Sequence, residues 1–179
     1  MSKERIAILF DIQNLYHSSK IYGGSKINYK QLKEKIANGR EVAFARAYAA
    51  HKDGKGANNF YSALKQCEID VCAKRVIIKK DGKGHDQVKV IPQHFDVEIS
   101  VDAMATDDSI NTIVLCTGNG NFAYLAKTLV EQGANVEVWS FAESTSEALK
   151  EVAKFVPIPK ECLLSIKSEE VPEAGQAVV

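Results

Sequence analysis

Apolar positions along the chain fall in short blocks separated by polar, periodic stretches. "RIAILF" at 5–10 is a continuous apolar run that predicts a buried strand. "NLYHSSKIY" at 14–22 predicts a short helix, broken by "GGS" at 23–25. In "NYKQLKEKIANG" at 28–39, Leu32 and Ile36 are spaced by four, Asn28 can cap the start and Gly39 can end the helix. "EVAFARAYAA" at 41–50 alternates and predicts a second strand. A helix over 60–67 and a third strand over 70–79 follow. The stretch 79–89, "KKDGKGHDQVK", reads as a basic loop.

Residues 94–107 predict a helix with Phe95, Ile99 and Met104 on one face. "TIVLC" at 112–116 is a fourth strand, 121–132 a helix closed by Gly133, and "NVEVWSF" at 135–141 a fifth strand. "STSEALKEVAKF" at 144–155 predicts a helix with a Ser/Thr…Glu capping signal. "VPIP" reads as a short last strand. The alternation of strand and helix predicts an α/β fold, a three-layer sandwich with a central, mostly parallel sheet. The length suits one domain over 1–165, with 166–179 as a flexible tail. In such sheets ligands sit beyond the carboxyl ends of the strands. Asp11 and the turn "TGNGN" at 117–121 should therefore share one edge.

Composition narrows the class. No apolar run approaches the ~20 residues of a membrane span. The four cysteines form no CxxC pair and no zinc spacing. A reduced, cytoplasmic protein without membrane association is expected. Net charge is zero, yet residues 1–89 carry +9 and residues 90–179 carry −9. That asymmetry suits a basic surface beside an acidic site, a self-complementary homodimer, or scatter along a chain that folds back on itself.

Three places could carry chemistry. Asp11 follows an apolar strand in "FDIQN", where a carboxylate can bind a cation or cap the next helix. Asp96, Glu98 and Asp102 lie in "FDVEISVD"; Asp96 and Asp102 are separated by about 600° of helical turn, too much for one narrow stripe. Their plain alternative is a favourable helix-dipole position and a solvated face. In "TGNGN", Gly118 and Gly120 allow a tight bend whose N–H groups could bind phosphate, or a simple turn with Asn in turn positions. The GxGxxG and Walker A spacings are missing. No nucleophilic triad is evident among four scattered histidines.

Taken together, "IAILFDIQNLYH", "HFDVEISVDAMA", "TIVLCTGNGNFAYLAKTLVEQGANVEVWSF" and "STSEALKEVAKFV" resemble the NYN domain family. More narrowly they resemble its LabA-like branch, within the PIN-like nuclease superfamily. The resemblance runs over about residues 5–160. It implies a PIN-like, Rossmann-like topology, acids gathered at strand ends around Mg²⁺ or Mn²⁺, and RNA as the usual substrate. By motif position, Asp11 and Asp96 match acidic metal ligands, Asp102 the second acid of the helix, and Asn14 a polar partner. Asn119 and Asn121 match positions that are aspartates in the family's usual "SGDxDF". An amide oxygen can ligate a hard cation, but it brings no negative charge. Each lost charge a few Å from a dication is worth on the order of several kcal/mol at an effective dielectric near 20. One ion is thus expected rather than two.

Three functions compete at this stage. The first is a metal-dependent ribonuclease with a reduced acidic cage. Asp11, Asp96 and Asn119 would be catalytic, with Asp11, Asp96, Asp102, Asn119 and Asn121 around the ion. Asn14, Thr117 and Gly118, with Lys79, Lys80, Lys83 and Lys89, would then contact RNA; the plain alternative for the lysines is a solvated loop. The second is a catalytically inactive NYN domain that binds RNA or a protein partner. The third is a nucleotide or phosphometabolite binder using "TGNGN".

Overall fold

The strand β1 (Arg5–Asp11) runs through the middle of the molecule and is buried on both faces from Ile6 to Asp11. The computed structural model describes residues 3–21, 26–51, 55–80, 88–91 and 93–164. The remaining strands of the main sheet are β3 (Glu41–His51), β4 (Asp70–Arg75), β7 (Thr112–Cys116), β8 (Asn135–Ser140) and β9 (Lys154–Pro157). They form a six-stranded sheet in the order β4-β3-β1-β7-β8-β9. Every pairing in it is parallel.

Helices α1 (Ile12–Ile21), α2 (Tyr29–Ala37) and α3 (Lys55–Gln66) follow β1 and β3. Helices α4 (Asp96–Met104), α5 (Ala123–Glu131) and α6 (Glu147–Val152) accompany the later strands. Alternate residues of β1 explain the layering. Ile6, Ile8 and Phe10 pack with Leu15, Leu32, Ile36 and Leu64. Ala7 and Leu9 pack with Ile99, Ala103, Phe122, Leu125 and Leu129 on the opposite face. A strand buried on both sides must be apolar throughout, which is why its sequence shows no alternation.

Several expected elements are altered. The strand expected over 70–79 ends at Arg75, where its partner β3 ends at His51. The chain beyond forms β5 (Ile77–Lys80), which pairs antiparallel with β6 (Val88–Ile91) as a separate ribbon. The stretch 79–89, expected to be a loop, is thus partly strand; residues 81–87, Lys83 among them, lie outside the described residues. So does the tail expected at 166–179.

On α4 the inward residues are Phe95, Ile99 and Ala103, spaced by four, and Met104 faces outward. The helix expected over 144–155 is confined to Glu147–Val152. Its Ser146 makes no side-chain cap bond; the Ser146 N–H instead donates to the Gly118 carbonyl at 3.0 Å. The last strand begins at Lys154, two residues before "VPIP".

The Asn28 cap is present, its side chain accepting from the Gln31 N–H at 3.1 Å. A small ribbon of β2 (Lys26–Ile27) and β10 (Leu163–Leu164) completes the described structure. Among the described residues no helix is long and apolar enough to cross a membrane.

Candidate metal centre

The strand order reverses between β1 and β7, and the carboxyl ends of these neighbours define the crevice where ligands bind in such sheets. Asp11 is the last residue of β1 and is only 8% exposed. One of its oxygens accepts from the Asn14 N–H at 3.1 Å, closing the first turn of α1. The other accepts from the Thr117 hydroxyl at 2.9 Å, just past β7. The helix-cap reading of Asp11 is therefore realised, and the same carboxylate also reaches the second strand. Burial pushes its carboxyl above the usual range, the hydrogen bonds from Asn14 and Thr117 oppose the rise, and the charge of Asp96 adds to it.

The turn after β7 is tied by its own polar side chains. The Gly118 N–H donates to the Asn14 side-chain oxygen at 2.7 Å. The Asn119 N–H donates to the Thr117 hydroxyl at 3.2 Å. The Asn121 N–H donates to the Asn119 side chain at 3.1 Å, and the Phe122 N–H to the Asn119 carbonyl at 3.1 Å. Four N–H groups that a phosphate would need are thus engaged, which argues against the phosphate-cradle reading.

The glycines serve packing instead. Neither has a positive φ among the described backbone. A Cβ on Gly118 would lie 2.8 Å from the Ser144 carbonyl oxygen, and one on Gly120 would lie 2.7 Å from the Ser146 hydroxyl. The loop after β8 presses directly on the turn after β7.

Asp96 enters from α4, whose first residue it is. Its carboxylate accepts a hydrogen bond from the Asn121 side-chain amide at 3.1 Å. Asp11, Asn14, Asp96, Thr117, Gly118, Asn119 and Asn121 are therefore linked around one crevice. Asp102 is engaged elsewhere: it accepts from Arg46 at 2.7 Å and from the Tyr48 hydroxyl at 2.6 Å, both on β3. Burial would raise its pKa, but those two partners hold it below the usual range. Glu98 pairs with Lys74 at 2.7 Å. Among the described residues no group of three or more His, Cys, Asp or Glu side chains converges.

The buried Asp11 carboxylate and Asp96, whose charge raises the Asp11 pKa, suit a single hard cation that keeps several waters. They do not make a cage for two.

Sequence reasoning missed the Ser144–Ser146 buttress and the Arg46–Tyr48 clamp on Asp102. The run of small hydroxyl residues at 144–146, separated from a parallel strand by residues 141–143, was the available signal for the first. The second depends on which strand lies beside α4, which spacing alone does not reveal.

A parallel α/β sheet of this order, flanked by helices, with Asp11 and Asp96 at its switch point, defines the class of the fold and places its ligand crevice. The NYN domain family model matches residues 5–159, and the chain belongs to that family of PIN-like nuclease domains. The chain is similar to the crystal structure of a protein of unknown function from Vibrio parahaemolyticus, with 29% identity and a TM-score of 0.77, over 90% of this chain and 97% of that one. It also aligns with a ribokinase from Giardia lamblia at 13% identity and a TM-score of 0.45, over 87% of this chain and 57% of that one, a likeness too low to bear on function. Comparison with curated proteins finds no match.

Proposed function

We propose that the chain is a metal-dependent ribonuclease of the LabA-like branch, working with one Mg²⁺ or Mn²⁺. The observation that carries this reading is the buried Asp11 at the switch point, facing Asp96 closely enough to feel its charge. Asp11 and Asp96 would hold the ion, with the amide oxygens of Asn119 and Asn121 as neutral ligands. When bound, such an ion neutralises phosphate charge and supplies a more nucleophilic water. Thr117 and Asn14 orient Asp11 and the turn. Asp102 supports the site indirectly by fixing α4 to β3.

The lysine-bearing segment fits an RNA backbone. Lys79 and Lys80 lie on β5, and the register sets Lys79 opposite Lys89 on β6. Cationic residues suit a phosphate backbone. Lys83 is proposed to join them.

A second reading has its own observation. The Asn121 amide donates an N–H to Asp96, occupying with a positive dipole end the carboxylate that a cation would use. This favours an inactive NYN domain that binds RNA or a protein partner.

A cleavage time course on labelled single-stranded RNA in Mn²⁺, Mg²⁺ and EDTA, with Asp11→Asn alongside, separates the two. Metal-dependent cutting that Asp11→Asn abolishes supports the nuclease. Cutting absent in the wild type and restored by Asn119→Asp with Asn121→Asp supports the inactive module. Cutting absent in both sinks the nuclease mechanism.

A further inference from the structure

The turn that bears Asn121 runs without a break into α5. The 3-10 turn Gly120–Phe122 is followed directly by Ala123. Residues three apart on a helical path share a face. Asn121 is thus followed on its own face by Tyr124, and Tyr124 by Lys127. Asn121 is exposed and bonded to Asp96. Tyr124 is 82% exposed, an unusual place for a large aromatic side chain. Among the described residues no ring packs on it. Lys127 is also exposed, and its ion pair with Glu131 is long at 3.8 Å. On the other side of the crevice, Val97 follows Asp96 and is 71% exposed.

An aromatic face beside a candidate phosphodiester site, with a cation one turn further on, is the composition of a single-stranded nucleic-acid track. A protein-docking reading suits the outward residues Val97, Val101 and Met104 of α4, but that helix also bears Asp96, Glu98 and Asp102, so a second copy of it would bring acid against acid. Tyr124 lies on the α5 side, where the neighbouring charge is positive.

We infer that Tyr124 is a base-stacking platform that positions single-stranded RNA at this site, with Lys127 contacting the next phosphate. The inference rests on the ribonucleic-acid reading above and adds the residue that would hold a nucleotide in register. Stacking uses the π-face that every base has, so it gives affinity with little sequence preference. The Tyr124 hydroxyl is not needed for it.

The test is a fluorescence titration of the full chain with a short single-stranded RNA carrying one 2-aminopurine, in EDTA and again in Mg²⁺. Stacking should quench the probe on binding. Tyr124→Ala should lose the quench and bind about 5- to 100-fold more weakly, the loss expected for one base–aromatic stack. Tyr124→Trp and Tyr124→Phe should keep both. An exposed side chain contributes little to the fold, so melting temperature should be unchanged and serves as the control. Wild-type binding with an undiminished quench and affinity in Tyr124→Ala overturns the platform and leaves the RNA reading intact. A wild type that binds no RNA under either condition overturns both.

Discussion

The side-chain amide of Asn121 donates a hydrogen bond to the Asp96 carboxylate across 3.1 Å. One oxygen of a crevice acid thereby has a hydrogen-bond donor without any cation. Replacing the amide with a carboxylate reverses the sign of that contact. Asn121→Asp should lower the melting temperature in EDTA, by about 1 kcal/mol of stability for a partly exposed pair of like charges. It should also give a larger rise on adding Mn²⁺ than the wild type shows. Differential scanning fluorimetry with and without Mn²⁺ reads both; equal Mn²⁺ shifts in the two proteins would refute the cation-site reading of this pair.

Asp11 is held above its ordinary carboxylate range by burial and by Asp96. A raised folded-state pKa means that the folded chain binds the proton more tightly than the unfolded chain. Stability from this group is then full at low pH and declines as pH rises from the ordinary carboxyl value of 3.8 through the raised folded value. Asp11→Asn keeps an acceptor and removes the charge. It should stabilise the protein at pH 7 by about 0.5–2 kcal/mol, the usual gain from a single stabilising substitution. The gain should shrink toward pH 3 in urea titrations, and a gain constant with pH would count against the charge argument.

Glu137 behaves in the opposite sense. It is buried on β8, accepts from Trp139 at 3.0 Å and Lys154 at 2.9 Å, and is gripped by both outer nitrogens of Arg40 at 3.1 and 3.2 Å. Burial pushes its pKa up, but Arg40, Trp139 and Lys154 outweigh this and hold it at about 2. Its stabilisation is complete above the ordinary glutamate value of 4.5 and is lost as pH falls through about 2. Glu137→Ala leaves the Arg40 charge half-buried and should cost about 3–5 kcal/mol at pH 7. The stability–pH curve of the variant should be flatter between those two pH values; an unchanged acid limb would assign acid unfolding to other carboxylates.

The two turn glycines should differ in severity. Gly118→Ala drives a methyl against the Ser144 backbone oxygen and should destabilise by about 1–3 kcal/mol. Gly120→Ala meets only the Ser146 side chain. Combining it with Ser146→Gly should recover most of the loss, whereas the same second change should leave Gly118→Ala unrescued. Urea melts of these four variants, Ser146→Gly alone and the wild type close two double-mutant cycles, and rescue of both or of neither would contradict the packing account.

The sheet was legible from sequence because β1, β7 and β8 are apolar blocks buried on both faces, and the turn glycines mark where the chain must bend. The edge shared by Asp11 and Thr117 followed from that alternation. The break at Arg75 was hidden, since "DVCAKRVIIK" is uniformly strand-like and only the end of β3 stops the pairing. The position of Asp102 was hidden too: periodicity separates it from Asp96, but the arginine and tyrosine that hold it come from a strand some fifty residues earlier. The start of α6 moved because its hydroxyl residues are used across the sheet edge rather than along their own helix.

Asp11 ties the start of α1 to the end of β7, so it joins the two halves of the sheet as well as facing the crevice. Such a residue is protected by folding whether or not any chemistry survives. Asp96, whose carboxylate is bonded to the exposed Asn121, has no comparable architectural duty. Where no chemistry is kept, position 11 should hold an acceptor side chain, Asp or Asn, while Asp96 and the residues at 119 and 121 drift. Position 11 thus records what the fold requires, and the positions the fold could spare record what any chemistry requires.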